Sequence, residues 1–250
     1  MQKFPPLESP EIKSAIDKYS PFFIEAKKRL VFTLCVFAAA TVAGFFLYEK
    51  IIKFLIDILS LKGINIVFTS PFQFINLAIS CGIATGLIVS FPLLVIQILS
   101  FLKPALKEKE YKMVVRLLPF SLLLFLTGLT MGFLIMKWQI QIFLDRSLAL
   151  GIGNVLDISR LLSTVLLTST LLGIGFEFPI LLLLLMRLGV VKRKQLHKMR
   201  PWIYLGSFFF AIILPLDSIL ADILLALPLI VLFEVTLILS RVQKEKPHEE

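Results

Sequence analysis

Three carboxylates carry most of the chemistry open to this chain: Glu25, Glu110 and Glu177. Glu110 lies with Glu108 in the stretch from Phe101 to Arg116, which also carries Lys103, Lys107, Lys109, Lys112 and Arg116 and separates two long apolar runs. By spacing alone, these two acids neutralise a basic, solvated surface. Glu25 and Arg29 stand four apart, so they can pair on one face of a helix. Glu177 differs, because it sits between Gly175 and Pro179 in an otherwise uncharged run. From Glu177 to Arg187 is about 15 Å of helix, roughly half a hydrocarbon core, which puts the acid near the midplane. A carboxylate at that depth must face protein or water; it serves either a function or a structural hydrogen bond to a neighbouring helix.

Catalysis is not indicated. The chain has no glycine-rich phosphate loop, no His-Glu-x-x-His, no paired Cys motif and no Ser with a His and Asp partner set. Both histidines, His197 and His248, lie outside the apolar runs, and His197 beside Lys198 reads as a solvated residue. Cys35 and Cys81 fall inside apolar runs as packing residues, so neither a disulfide framework nor a metal site is expected, and no cofactor is implied. What remains is a set of acids among cations, a chemistry suited to a cationic peptide because carboxylates pair bidentately with guanidinium groups.

The elements that position these groups follow from composition. Of 250 residues, 58% are hydrophobic and only 17% charged, which is the composition of an integral membrane protein. The net charge of +9 gathers between apolar runs, so it reads as membrane orientation and contact with anionic lipid, not nucleic-acid binding. Residues 1–20 are polar and show no cleavable signal peptide, although Glu11 to Tyr19 could form a short interfacial helix.

The apolar pattern predicts an all-α membrane protein, one domain over residues 1–250 with six spans at about 30–48, 74–98, 114–138, 161–186, 202–214 and 219–239. Glu49 to Ser70 reads as an ordered external loop, and Pro92 should kink the second span or end its regular part early. The third span extends into Gln139 to Arg160, whose Gly151, Gly153, Asn154 and Asp157 mark a second external loop. Only thirteen residues, Trp202 to Leu214, precede Pro215, which makes the fifth span about 20 Å long. Twenty of the 26 Lys and Arg fall in the amino-terminal segment, the two internal basic loops and the tail, which predicts both termini in the cytoplasm. No internal repeat is visible, which argues against transporter folds built from duplicated halves.

Short motifs then converge in order. Phe-Phe-Ile-Glu-Ala-Lys-Lys-Arg-Leu at Phe22 to Leu30, Phe101 with Pro104, Ala105, Leu106 and Glu110, and Gly173 with Phe176, Glu177 and Pro179 are followed by Leu196, Lys198, Arg200, Pro201 and Trp202. Leu224 to Pro228 and Leu232 to Glu234 close the series, and the whole resembles TatC, the multispanning receptor of the twin-arginine protein translocase, from about Pro21 to Arg241. The sequence departs from the family at Ala26 and Lys27, at Leu214 to Asp217, and at Asp222, where the family commonly has Gln.

The resemblance implies a cupped six-helix bundle with its last two helices short. It implies a receptor that binds Arg-Arg signal peptides of folded precursors at its cytoplasmic face through Glu25 and Glu110, with Phe101 and Arg29 beside them. Glu177 is then an intramembrane polar site, and Asp222, Asp217 and Glu234 are candidate partner contacts. TatA-like and TatB-like single-span subunits are the implied partners in an oligomeric, proton-gradient-driven complex of the bacterial cytoplasmic (inner) membrane, or of a thylakoid or mitochondrial equivalent. The alternative, of a different class, is a proton-coupled small-solute transporter that uses Glu177.

Overall fold

Apolar runs whose backbone groups must bond internally in lipid become helices, and nine helices dominate the described residues of the computed structural model. It describes residues 10–59, 65–102, 108–151, 155–187, 191, 193–214 and 219–242. In chain order the elements are α1 (Pro10–Phe46), α2 (Tyr48–Ile58), β1 (Asn65–Val67), α3 (Gln73–Leu102), α4 (Glu108–Ala149), β2 (Val155–Asp157), α5 (Ile158–Gly175), α6 (Phe178–Arg187), α7 (Arg193–Lys198), α8 (Arg200–Ile213) and α9 (Ile219–Val242). Among the described residues, Ile24–Phe46, Gln73–Phe101, Val115–Ala149 and Ile158–Met186 are long and apolar enough to cross a membrane; Arg200–Ile213 is apolar but shorter.

Four sequence expectations are refined by the structure. The expected interfacial helix at Glu11 to Tyr19 is not separate; it is the start of α1, which runs on through Pro21 to Phe46. Much of the expected loop from Glu49 to Ser70 is α2, an amphipathic helix. Leu55 and Leu59 are buried against Leu77, Met136 and Leu162, with Ile51 and Ile52 packed alongside, while Lys50, Lys53 and Asp57 stay exposed. Lys137 of α4 closes this helix by donating its ammonium to the Ile58 carbonyl at 2.9 Å. Of the two outcomes expected for Pro92, an early end does not occur, since α3 stays helical through it to Leu102.

The fourth run, expected as a span over 161–186, is apolar and long enough to cross a membrane from Ile158 to Met186, but it is built of two helices, α5 and α6. Pro179 has no N–H and its ring crowds the carbonyl four residues back, so the ladder is disrupted just before it. The Glu177 amide turns to the Ile174 carbonyl at 3.1 Å, and the helix resumes where Ile180 and Leu181 donate to the Glu177 carbonyl at 3.0 and 3.1 Å. The acid therefore sits at the break between α5 and α6.

Helices in lipid gain no hydrophobic drive towards each other, so close contact rests on small residues. A Cβ on Gly82 would stand 2.8 Å from the Thr41 carbonyl, one on Gly44 3.0 Å from the Cys81 carbonyl and one on Gly86 3.0 Å from the Phe37 ring; α1 and α3 thus lie antiparallel with backbones nearly touching. Gly128 plays the same part between α4 and α5, where a Cβ would come within 2.8 Å of Gly173 Cα. A second core joins Leu172 and Phe176 to Ala211 of α8 and to Leu225 and Leu229 of α9.

β1 and β2 pair in parallel, Asn65 opposite Val155 and Val67 opposite Asp157, tying the two connections together. Asp157 caps α5 by accepting from the Arg160 amide at 3.1 Å, and also accepts from the Thr69 hydroxyl at 2.8 Å and the Gln73 side chain at 2.7 Å. Burial pushes its carboxyl up, but the bonds from Arg160, Thr69, Gln73 and Ser159 together outweigh this and hold it below the usual carboxylate range.

Candidate functional site

Close packing of α1 on α3 sets the first site. Thr41 meets Gly82 and Gly86, and Phe37 also meets Gly86, so residue numbers run in opposite directions along the pair. From that level Glu25 is about 18 Å along α1 and Phe101 about 22 Å along α3, which brings both to the same end of the pair. Glu25 is half exposed and bound by Arg29, whose Nη2 and Nε donate to Oε1 at 2.6 and 3.1 Å. Phe101 is partly buried in the last turn of α3, and Glu110 belongs to the first turn of α4. The Glu110 side chain and residues 103–107 lie outside the described residues.

The second site forms around Glu177. Only 7% of this residue is exposed, and its Oε2 accepts from the Ser121 hydroxyl of α4 at 2.7 Å. Oε1 is buried without a hydrogen-bond partner among the described residues. The acid borders a cleft of about 200 Å³ between α3 and α4, walled by Pro92, Val95, Ile96, Leu118, Leu122 and Phe125. Ile96 and Leu122 are each 47% exposed, so this apolar cleft opens to the protein surface. Sequence reasoning singled out Glu177 but missed Ser121, although a lone hydroxyl in the run from Leu117 to Leu126 was a usable signal.

The remaining candidates are dispersed. Glu234 accepts from Arg200 at 3.0 Å and from the Tyr204 hydroxyl, so its carboxylate fastens α9 to α8. Those two partners were not anticipated. Asp222 is half-buried in the first turn of α9, with Oδ1 unpartnered among the described residues. Asp217 lies outside them.

The model of one protein family, described as Sec-independent protein translocase protein (TatC), matches residues 21–228, a range that holds Glu25, Phe101, Glu110 and Glu177. The chain belongs to the TatC family. It is similar to TatCy of Bacillus subtilis strain 168, at 30% identity over 229 residues, 89% of this chain and 88% of that one. TatC of Escherichia coli strain K12 is 32% identical over 167 residues, 66% of this chain and 65% of its own length. A crystal structure of the twin arginine translocase receptor TatC in DDM superposes with a TM-score of 0.77 at 26% identity, covering 87% of this chain and 98% of that chain. TatC proteins are translocase components and not enzymes, so this chain is an integral membrane protein of Sec-independent protein transport.

Proposed function

We propose that this TatC-family chain is the receptor subunit of its translocase and captures Arg-Arg signal peptides at the end of the bundle shared by Glu25, Phe101 and Glu110. The observation that carries this reading is the half-exposed Glu25 carboxylate, presented at the same end of the α1–α3 pair as Phe101. Two guanidinium groups need two carboxylates, and Glu110 at the start of α4 supplies the second. Phe101 offers apolar surface to the residues beside the arginines, and Arg29 lies within the same site.

In this reading α8 and α9 are the fifth and sixth spans, both termini lie in the cytoplasm, and the membrane is the bacterial cytoplasmic (inner) membrane. Single-span TatA-like and TatB-like subunits dock on the bundle. Asp222, whose Oδ1 has no partner among the described residues, is a better partner contact than Glu234, which its own chain already engages. Glu177 meets a polar group of the inserted peptide or of a partner, and its Oε1, without a partner among the described residues, supports that role.

The test is capture of a synthetic Arg-Arg signal peptide by the full-length protein, against its Lys-Lys variant. Preferential retention of the Arg-Arg peptide is expected, and equal retention of both contradicts the receptor reading. Transport of a small solute by the purified protein alone in liposomes would instead favour a proton-coupled transporter.

A further inference from the structure

We propose that Arg29 is an internal competitor for the Glu25 carboxylate, and that this competition favours guanidinium over ammonium in the peptide the site accepts. The inference rests on the reading of Glu25 as a signal-peptide contact. Its observations are local: Arg29 Nη2 and Nε both donate to Glu25 Oε1, at 2.6 and 3.1 Å, and among the described residues Oε2 takes no bond. The Arg29 side chain is 29% exposed against 48% for Glu25, so the arginine lies against the bundle while the acid projects from it. The Arg29 carbonyl accepts from the Thr33 hydroxyl at 3.0 Å, which fixes the turn that carries it.

An incoming cation therefore meets a neutral pair, not a free carboxylate. To engage both oxygens it must replace Arg29. A guanidinium replaces the two Arg29 N–H donors on Oε1 with two of its own and can spread them over both oxygens as a planar fork, so the exchange loses no bond; an ammonium is a point donor that cannot form that fork. Lys27 and Lys28, on the same turns of α1, add positive charge near the pair and further disfavour a cation that merely adds to it. Without Arg29, both cations would meet an open, solvated carboxylate, and the difference between them should narrow. Arg29 thus acts as a specificity-determining residue through occupancy of the acid, with no bond to the peptide required.

Photoreactive Arg-Arg and Lys-Lys signal peptides should be titrated against the full-length protein and its Arg29→Gln, Arg29→Lys and Glu25→Ala variants at matched abundance and at two salt concentrations. Arg29→Gln should strengthen capture of the Lys-Lys peptide more than of the Arg-Arg peptide, reducing the Arg-Arg preference by about two- to fivefold, the span typical of exposed ion pairs. Capture by this variant should also become more salt-sensitive, because the Glu25 carboxylate then meets the peptide without its own counter-charge. Arg29→Lys, which keeps the charge but loses the fork, should fall between wild type and Arg29→Gln; it serves in its place if Arg29→Gln does not accumulate. An unchanged or larger Arg-Arg preference in the Arg29 variant, or equal weakening of both peptides, overturns the proposal. If Glu25→Ala leaves capture of both peptides unchanged, the underlying reading of the site fails instead.

Discussion

Ser121 on α4 donates its hydroxyl to Glu177 Oε2 across 2.7 Å, so a single bond ties α4 to the point where α5 gives way to α6. The other carboxylate oxygen has no partner among the described residues. Ser121→Ala should therefore leave both oxygens unsatisfied and lower stability by about 1–3 kcal/mol, read as a reduced thermal midpoint of the purified protein. An unchanged midpoint would show that the bond holds nothing together.

Transport separates a structural Glu177 from a functional one. Glu177→Gln keeps a group that can bond Ser121, so a purely structural acid should tolerate it. We expect both Glu177→Gln and Glu177→Ala to reduce transport at matched protein levels, while Arg-Arg peptide binding persists, since that depends on Glu25 and Glu110. Normal transport by both variants would leave the buried acid without a role.

Gly128 offers a packing test. A Cβ there would stand 2.7 Å from Phe176 Cγ and 2.9 Å from the Leu172 carbonyl, so Gly128→Ala must push α4 away from α5. A loss of about 1–3 kcal/mol is expected, as for other overpacked contacts. Wild-type stability in this variant would mean that the two helices have slack the structure does not show.

Asp157 makes stability depend on acid. Its folded pKa is depressed, so its contribution is complete well above the unfolded value of about 3.9 and disappears as pH falls through the lower folded value. Asp157→Ala should cost about 0.5–2 kcal/mol near neutral pH, as cap removal does elsewhere, and should flatten the acid limb of a melting-temperature profile. A variant with the same acid limb as the wild type would assign that limb to other groups.

The four helical runs long enough to cross a membrane were legible, because apolar runs of spanning length and Pro or Gly punctuation survive without any tertiary knowledge. Their internal detail was not. α2 was hidden because its Lys50, Lys53 and Asp57 lower its hydropathy, and its apolar face makes sense only against Leu77 and Met136. Pro179 did signal a disturbance, but Pro92 carries the same signal inside an unbroken α3. For the site, acids stood out because charge is rare in these runs; their hydroxyl and guanidinium partners, Ser121 and Arg200, lie 56 and 34 positions away, and no local spacing could pair them.

Photocrosslinking of an Arg-Arg signal peptide to Glu25→Ala, Glu110→Ala and the double variant tests the receptor reading most directly. A charge-assisted pair to arginine is worth about 1.5 to 3 kcal/mol, so each single change should weaken binding roughly ten- to a hundredfold while the protein itself remains at its normal level. The account predicts that the double variant loses the crosslink altogether; a double variant that crosslinks as the wild type does would contradict it.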